Sequence, residues 1–363
     1  MYPALATAEA MVKQVPDAEL VFVGTVGGFE RSLVEQSGVP FAAHHEVQAG
    51  PVHGVNPLRM LVSGAKLLAG TVHAFGLLGR HRPQAILSTG GWVSFPVALA
   101  ARLRRVPLLI FLPDVEPGLT IRVLRRFATE IALNVAESAA YFPGSRTVVT
   151  GYPLRAAMTD LARPENREQA RRQAHQHFEL DPARPVLLVF GGSLGARAVN
   201  RGFVDVLGDV LADGVQVIHL TGRLDWDRVQ AQAGSLADHA DYHAFPYLHE
   251  DMALAFAAAD LAICRAGASI LAEFPLFGLP SILIPLAYSW RYQQVNADYL
   301  AERGAAIHLD EAQMADRLLP LVRELLGDSK RLDAMRDQAR RLACADGAAN
   351  VAQTLTRLAR DRQ

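Results

Sequence analysis

Cysteine is almost absent: only Cys264 and Cys344 occur in 363 residues. Two thiols that far apart make neither a disulfide framework nor a zinc set, and a reducing cytoplasm is the natural compartment. A basic surplus is missing as well. The formal net charge is -1 and the pI about 6.9, so the electrostatic footprint of nucleic-acid binding is lacking and no nucleic-acid partner is expected. No tract is polar enough to read as disordered, since 50% of the residues are hydrophobic and 20% charged. The stretch Met1 to Met11 carries an acid at Glu9 and no basic n-region, and no later stretch gives about 18 uninterrupted apolar residues. Neither a signal peptide nor a membrane span is expected.

One absence is local. From Val47 to Pro113 there is no Asp or Glu, while Arg59, Lys66, Arg80, Arg82, Arg102, Arg104 and Arg105 are present. Within it, Pro57 to Leu78 reads as a helix apolar on nearly every side, with Leu61, Leu68, Val72 and Phe75 among its residues. Apolar surface beside cations suits an anionic membrane surface; a helix buried between neighbours with a basic rim fits the same pattern.

What is present is an alternation of short apolar runs with longer helical patterns, the mark of parallel strands joined by crossovers. Strands are expected at 20–23, 85–88, 107–111, 131–135 and 147–150, then at 186–190, 216–220, 261–264, 281–284 and 306–309. The length suits two domains. The division is 1–155, a linker at 156–184 carrying Pro164 and Pro182, and 185–346, with a last helix at 347–360 packing on the outside of one of them. The fold class is α/β, two Rossmann-like domains. A doubly wound domain normally opens with a strand, yet a helical pattern, Ala4 to Val15, begins almost at Met1, so the first N-terminal strand is expected to be missing.

Three strand-to-helix turns are rich in small residues. Gly191-Gly-Ser-Leu-Gly-Ala-Arg197 follows an apolar run and opens a helix, as a diphosphate cradle does; a glycine turn made for packing has the same form. Arg265-Ala-Gly-Ala-Ser269 repeats the pattern and leads to Glu273, four residues after Ser269 and on the same helix face, where a carboxylate can meet both hydroxyls of a ribose. Two such starts in one domain point at a common crevice. Pro275 is expected to kink the second helix. The third turn, Thr89 to Pro96, is either another cradle or a tight packing turn. Gln293, Gln294 and Asn296 offer amides for sugar hydroxyls beside the aromatic side chains of Tyr288 and Trp290. Asp225-Trp226-Asp227 has a metal-holding spacing, but it precedes a helix, and the capping reading is preferred; no metal is assigned. The histidines form no hydrolase triad.

Taken together the motifs resemble the MurG family, peptidoglycan N-acetylglucosaminyltransferases. The likeness rests on Gly24-Thr25, Gly90 to Pro96, Gly151-Tyr-Pro-Leu-Arg155, Gly191 to Arg197, Glu250-Asp-Met252, Cys264 to Ala268 with Glu273, and Gln293 with Asn296-Ala297. The resemblance implies a GT-B fold and an inverting transfer of GlcNAc from UDP-GlcNAc to a polyprenyl-diphosphate-linked acceptor, undecaprenyl-pyrophosphoryl-MurNAc-pentapeptide, without an obligatory metal or other cofactor. It places the enzyme on the cytoplasmic face of the membrane, with the acid-free region as the docking side. Arg155 and Ser193 would contact the donor diphosphate region, the backbone near His249 the uracil, and Ala268, Ser269, Ile270, Leu271, Ala272 and Glu273 the phosphates and ribose. Gln293 would read the sugar. Gly90, Gly91, Trp92 and Ser94 would face the acceptor.

Two departures from the family pattern stand out. The family's Gly-Gly-His loop, whose histidine is the usual candidate base, would lie before Met1, so either the start has been assigned too late or the chain is an inactive truncated relative; the first is expected. Second, Phe111-Leu-Pro-Asp-Val-Glu-Pro-Gly118 stands where members have His-Glu-Gln-Asn, so the acids Asp114 and Glu116 either alter donor or acceptor choice or supply a substitute base, and the catalytic residue stays open. Another lipid acceptor, or a UDP-sugar epimerase on the same fold, are the competing readings.

Overall fold

The computed structural model describes residues 1–28, 30–50, 56–192, 196–248, 251–286 and 291–362. The chain forms two units, Met1–Arg155 with Asp346–Gln363, and Ala156–Ala345.

Among the described residues of the first unit six strands alternate with helices: β1 (Leu20–Thr25), β2 (Phe41–Val47), β3 (Ile86–Ser88), β4 (Leu108–Leu112), β5 (Glu130–Leu133) and β6 (Thr147–Val149). They form two parallel sheets, β1-β2 and β3-β4-β5-β6. Every residue of β4 is buried, as a strand covered on both faces must be. β2 was not expected. It is an edge strand whose residues, His44 and His45 among them, are mostly half-buried, so it lacks an apolar run. The helix Pro57–His81 is long and apolar enough by length and composition to cross a membrane over Met60–His81, although Lys66 and Arg80 interrupt its apolar run, as expected from the sequence. A third of that window, 33%, is buried. Its inner side includes Leu67, Gly70, Ala74 and Leu77, and Gly70 is required: a Cβ there would sit 2.1 Å from the carbonyl of Gln48. Leu61, Leu68 and Val72 remain exposed.

The helix Gly347–Arg360 lies against the helix Tyr2–Gln14 of the same unit. The amide of Gln14 donates to the carbonyl of Ala349 at 3.1 Å, that of Asn350 to the carbonyl of Thr150 at 2.9 Å, and Arg357 pairs with the buried Glu130. Gly347 lets the chain pass over Tyr152, whose carbonyl would be 2.2 Å from a Cβ.

The described residues of the second unit form one parallel sheet of six strands, β7 (Val186–Phe190), β8 (Gln216–Leu220), β9 (Tyr242–Phe245), β10 (Leu261–Cys264), β11 (Ser281–Leu283) and β12 (Ala306–His308), in the order β12-β11-β10-β7-β8-β9. β9, another half-buried edge strand, was also missed. One face buries Leu187, Val189, Ile263 and Ile282 under Phe203, Leu207 and Leu318; elsewhere in the unit Phe190, Phe256 and Phe274 stack edge-on or tilted. Residues 156–184 are not a bare linker. They form the helices Ala156–Ala162 and Arg167–His177, which belong to this unit, the second tied to the start of β10 by Arg171 and Asp260 at 2.9 Å.

From β7 the chain moves outward to β8 and β9, then returns to β10 on the other side of β7 and continues to β11 and β12. The order therefore reverses between β7 and β10. At such a switch point the loops leaving two neighbouring strands diverge and open a crevice at their carboxyl ends.

Candidate active site

β7 and β10 are parallel neighbours with Phe190 opposite Cys264. The turns beginning at Gly191 and Arg265 therefore leave the same edge of the sheet side by side, at the switch point. Gly191 is dictated by the turn itself, because a Cβ would lie 2.1 Å from the Cβ of Ala196 and 2.5 Å from its nitrogen, and Gly192 has φ 106°. The helix Arg197–Ala212 starts directly behind it. A pocket of about 420 Å³ opens here, lined by Gly191, Ala196, Arg197, Arg265, Gln293 and Glu311 among others. The positive end of the helix and two guanidinium groups thus face one cavity.

Arg265 is the most constrained of these groups. Its Nη1 donates to the carbonyls of Ile284 (3.1 Å) and Pro285 (3.2 Å), and Nη2 lies 2.6 Å from Glu311. Gln293 accepts from the backbone N–H of Leu286 at 2.9 Å through Oε1. Asn296, fully buried, donates to the carbonyl of Ala266 at 3.1 Å and fixes the second turn.

Among the sequence-selected donor residues, Ala268 and Ser269 are half-buried at the start of the helix Ile270–Phe277. Glu273 is half-buried in its first turn, beside Cys264, whose thiol is pushed up first by burial and then by that carboxylate. The side chains of Ile270, Leu271 and Ala272 are buried, and their N–H groups bond the carbonyls of Gly267, Ala268 and Ser269. These three residues form the first turn of the helix, with their side chains turned into the core. Pro275 lies inside the helix, which ends at Gly278 with φ 65°. Ser193, His249, Tyr288 and Trp290 lie outside the described residues. Arg155 is the last residue of the first unit, its guanidinium 5.7 Å from the ring centre of Tyr2.

Asp225 occupies the N-cap position of the helix Trp226–Ala233 but makes no side-chain capping bond. This corrects the capping reading: its buried carboxylate instead accepts from Arg197 Nε and Asn200 Nδ2, each at 3.4 Å. Asn200 belongs to a buried network, with its Oδ1 3.2 Å from His219 Nε2, while His219 Nδ1 is 2.8 Å from the Tyr242 hydroxyl. Burial pushes the His219 imidazole down to about 3, so it is neutral and structural.

In the first unit β3 and β4 are parallel neighbours with Ser88 opposite Ile110, so the Gly90 turn and the loop of Asp114 share one strand edge. Gly90 and Gly91 have φ 91° and 83°. Ser94 donates to the carbonyl of Gly90 at 2.6 Å, and Trp92 is half-buried. The loop after β4 is held by Asn134, which donates to the carbonyl of Pro113 at 2.8 Å, and by Ser138, which donates to that of Val115 at 2.7 Å. Glu116 is ion-paired with Arg122 at 2.7 Å.

Sequence reasoning named Arg265 only as part of a turn and missed Glu311 altogether. Arg265 was signalled by its place directly after a buried strand. Glu311 reaches the pocket from beyond β12 and carries no local signal.

A parallel sheet with its switch point opening onto glycine-rich helix starts, in a chain of two such α/β units, fits the GT-B class of glycosyltransferases. Residues 1–133 match the glycosyltransferase family 28 N-terminal domain and residues 186–353 the glycosyltransferase family 28 C-terminal domain. The UDP-N-acetylglucosamine--N-acetylmuramyl-(pentapeptide) pyrophosphoryl-undecaprenol N-acetylglucosamine transferase of Roseiflexus sp. (strain RS-1) is 38% identical over 94% of this chain and 84% of its own. The crystal structure of Acinetobacter baumannii MurG covers 98% of the chain, and is itself covered to 95%, with a TM-score of 0.76 at 27% identity. The UDP-GlcNAc 2-epimerase of Neisseria meningitidis, solved with UDP-GlcNAc, shares the fold alone, with a TM-score of 0.64 at 10% identity over 99% of this chain and 97% of that one. The chain belongs to the MurG family.

Proposed function

We propose that this chain transfers GlcNAc from UDP-GlcNAc to undecaprenyl-pyrophosphoryl-MurNAc-pentapeptide, with inversion at the anomeric carbon. The observation that carries the reading is the junction of the Gly191 turn, Arg265 and Gln293 around one pocket at the switch point of the second unit. In the reaction an acceptor hydroxyl, yielding its proton to Asp114 or Glu116, forms a bond to the sugar C1 as the bond from C1 to the diphosphate oxygen breaks. The charge that develops on the departing UDP is the difficulty, and helix-start amides with fixed guanidinium groups stabilise it without moving. Glu273 holds the ribose and Gln293 the sugar. In the first unit the Gly90 turn receives the acceptor. Glu116 is engaged by Arg122, so it takes a proton only by giving up that pair.

The enzyme works at the cytoplasmic face of the membrane, and the helix Pro57–His81 is its docking element. Leu61, Leu68, Val72 and Phe75 are exposed along it, at spacings of three, four and seven that keep them on one side. The guanidinium of Arg104 stands 3.8 Å over the Phe75 ring, which places a cation at the rim of the apolar stripe. The test is UDP release with and without a polyprenyl-linked acceptor. Release that needs the acceptor is expected; isomerisation of UDP-GlcNAc without it points to an epimerase, and no release at all to an inactive relative.

A further inference from the structure

The first unit has a second cavity, of about 420 Å³, lined by Arg102, Arg105, Arg126, Arg146 and Arg362, with Asp361 as its one acid. Arg102 and Arg105 lie where the chain runs into β4, Arg126 shortly before β5, and Arg146 immediately before β6. The cavity is therefore at the amino-terminal edge of the sheet, whereas the Gly90 turn and Asp114 leave the carboxyl edge. It is distinct from the acceptor site.

Its charges are not balanced from within. Asp361 faces Arg357 at 3.6 Å, and Arg357 is also shared with Glu130; Arg362 donates to the carbonyl of Pro83. Among the described residues, no protein group hydrogen-bonds or ion-pairs with the side chains of Arg102, Arg105, Arg126 or Arg146. Arg102, Arg105, Arg126 and Arg146 are exposed residues that line one concavity, a local excess of positive charge that favours an anion. Arg105 is also held at φ 54°, a conformation glycine adopts at lower cost. Phe127 and Val106 contribute apolar wall to the cavity between the arginines.

We infer that this cavity binds a phosphate-bearing anion, held by forked guanidinium contacts. The ligand is either a soluble phosphorylated molecule or a phospholipid headgroup. The inference rests on the cavity and does not depend on the docking role of the helix Pro57–His81.

The probe is inorganic pyrophosphate, titrated calorimetrically into the full chain saturated with UDP so that the nucleotide pocket is filled. One further site is expected. The variant Arg126→Ala/Arg146→Ala should weaken it about a hundredfold, roughly tenfold for each guanidinium removed, with UDP affinity and thermal midpoint unchanged. A parallel arm floats the chain with phosphatidylglycerol or phosphatidylcholine vesicles. If pyrophosphate fails to bind but the double variant no longer floats with phosphatidylglycerol vesicles, the headgroup is the source. If neither pyrophosphate nor phosphatidylglycerol binding responds to the two substitutions, the site is refuted.

Discussion

The side chain of Asn296 donates to the carbonyl of Ala266 at 3.1 Å, and this bond joins the helix Tyr292–Glu302 to the turn that follows β10. Gln293, one turn earlier on the same helix, binds the backbone after β11. The two amides thus set the spacing of neighbouring turns at the mouth of the switch-point pocket. Replacing Asn296 by Leu strands a buried carbonyl, at a cost of about 1–3 kcal/mol. A lower thermal midpoint is expected together with weaker UDP binding, and calorimetry at a temperature where the variant is folded separates the two.

Gly191 tests the cradle directly. In Gly191→Ala the new methyl group would collide with Ala196, backbone included, so the turn has to move away from the helix start. We expect UDP affinity to drop by more than about tenfold, the effect of losing roughly one charge-assisted hydrogen bond. Unchanged affinity would show that the diphosphate does not rest on this turn.

Much of the second unit was legible from residues alone. Val186–Phe190 and Leu261–Cys264 are buried on both faces, so they read as apolar runs and their ends were placed without error. Phe41–Val47 and Tyr242–Phe245 escaped because a sheet edge is half exposed and tolerates His44, His45 and His243. The glycine turns were visible for a related reason: close approach leaves a chemical trace in the residue type. The Arg265 to Glu311 pair and the arginine cavity leave none, since each gathers residues from separate elements, and only the folded chain brings them together.

Glu273→Ala should weaken UDP binding by about one to two orders of magnitude, the range of one or two hydrogen bonds to a charged group. Folding should be unaffected, because the side chain is only half-buried at the start of its helix. Binding of UDP and of uridine-free pyrophosphate should diverge in the variant, with the second unaltered; equal losses in both would move Glu273 from the ribose to the phosphates.

His219 predicts a pH dependence of stability. Its folded pKa, about 3, lies below the ordinary 6.5, so the unfolded chain binds a proton that the folded chain refuses. The stability contributed by the neutral ring is therefore complete above pH 6.5 and declines as the pH falls toward 3, by up to about 1.4 kcal/mol per pH unit. In urea titrations the variant His219→Gln, which keeps a neutral hydrogen-bonding side chain, should be less stable at pH 7.5 but lose less on going to pH 5. Parallel curves for the two proteins would contradict the assignment.

The exposed stripe gives the sharpest separation of catalysis from location. Leu68 and Val72 are 70% and 75% exposed, so Leu68→Glu/Val72→Glu leaves the core intact and should leave the thermal midpoint and UDP affinity unaltered. On a membrane the same two side chains would each bury apolar area worth about 1.5–3 kcal/mol, and the new carboxylates would meet an anionic surface. Sedimentation with phosphatidylglycerol vesicles should therefore fall by well over about tenfold, and turnover of a vesicle-borne acceptor should fall with it. Turnover of a short-chain, water-soluble acceptor should persist. If both acceptors are affected alike, the stripe contributes to the fold or the active site, and the docking role of this helix is lost.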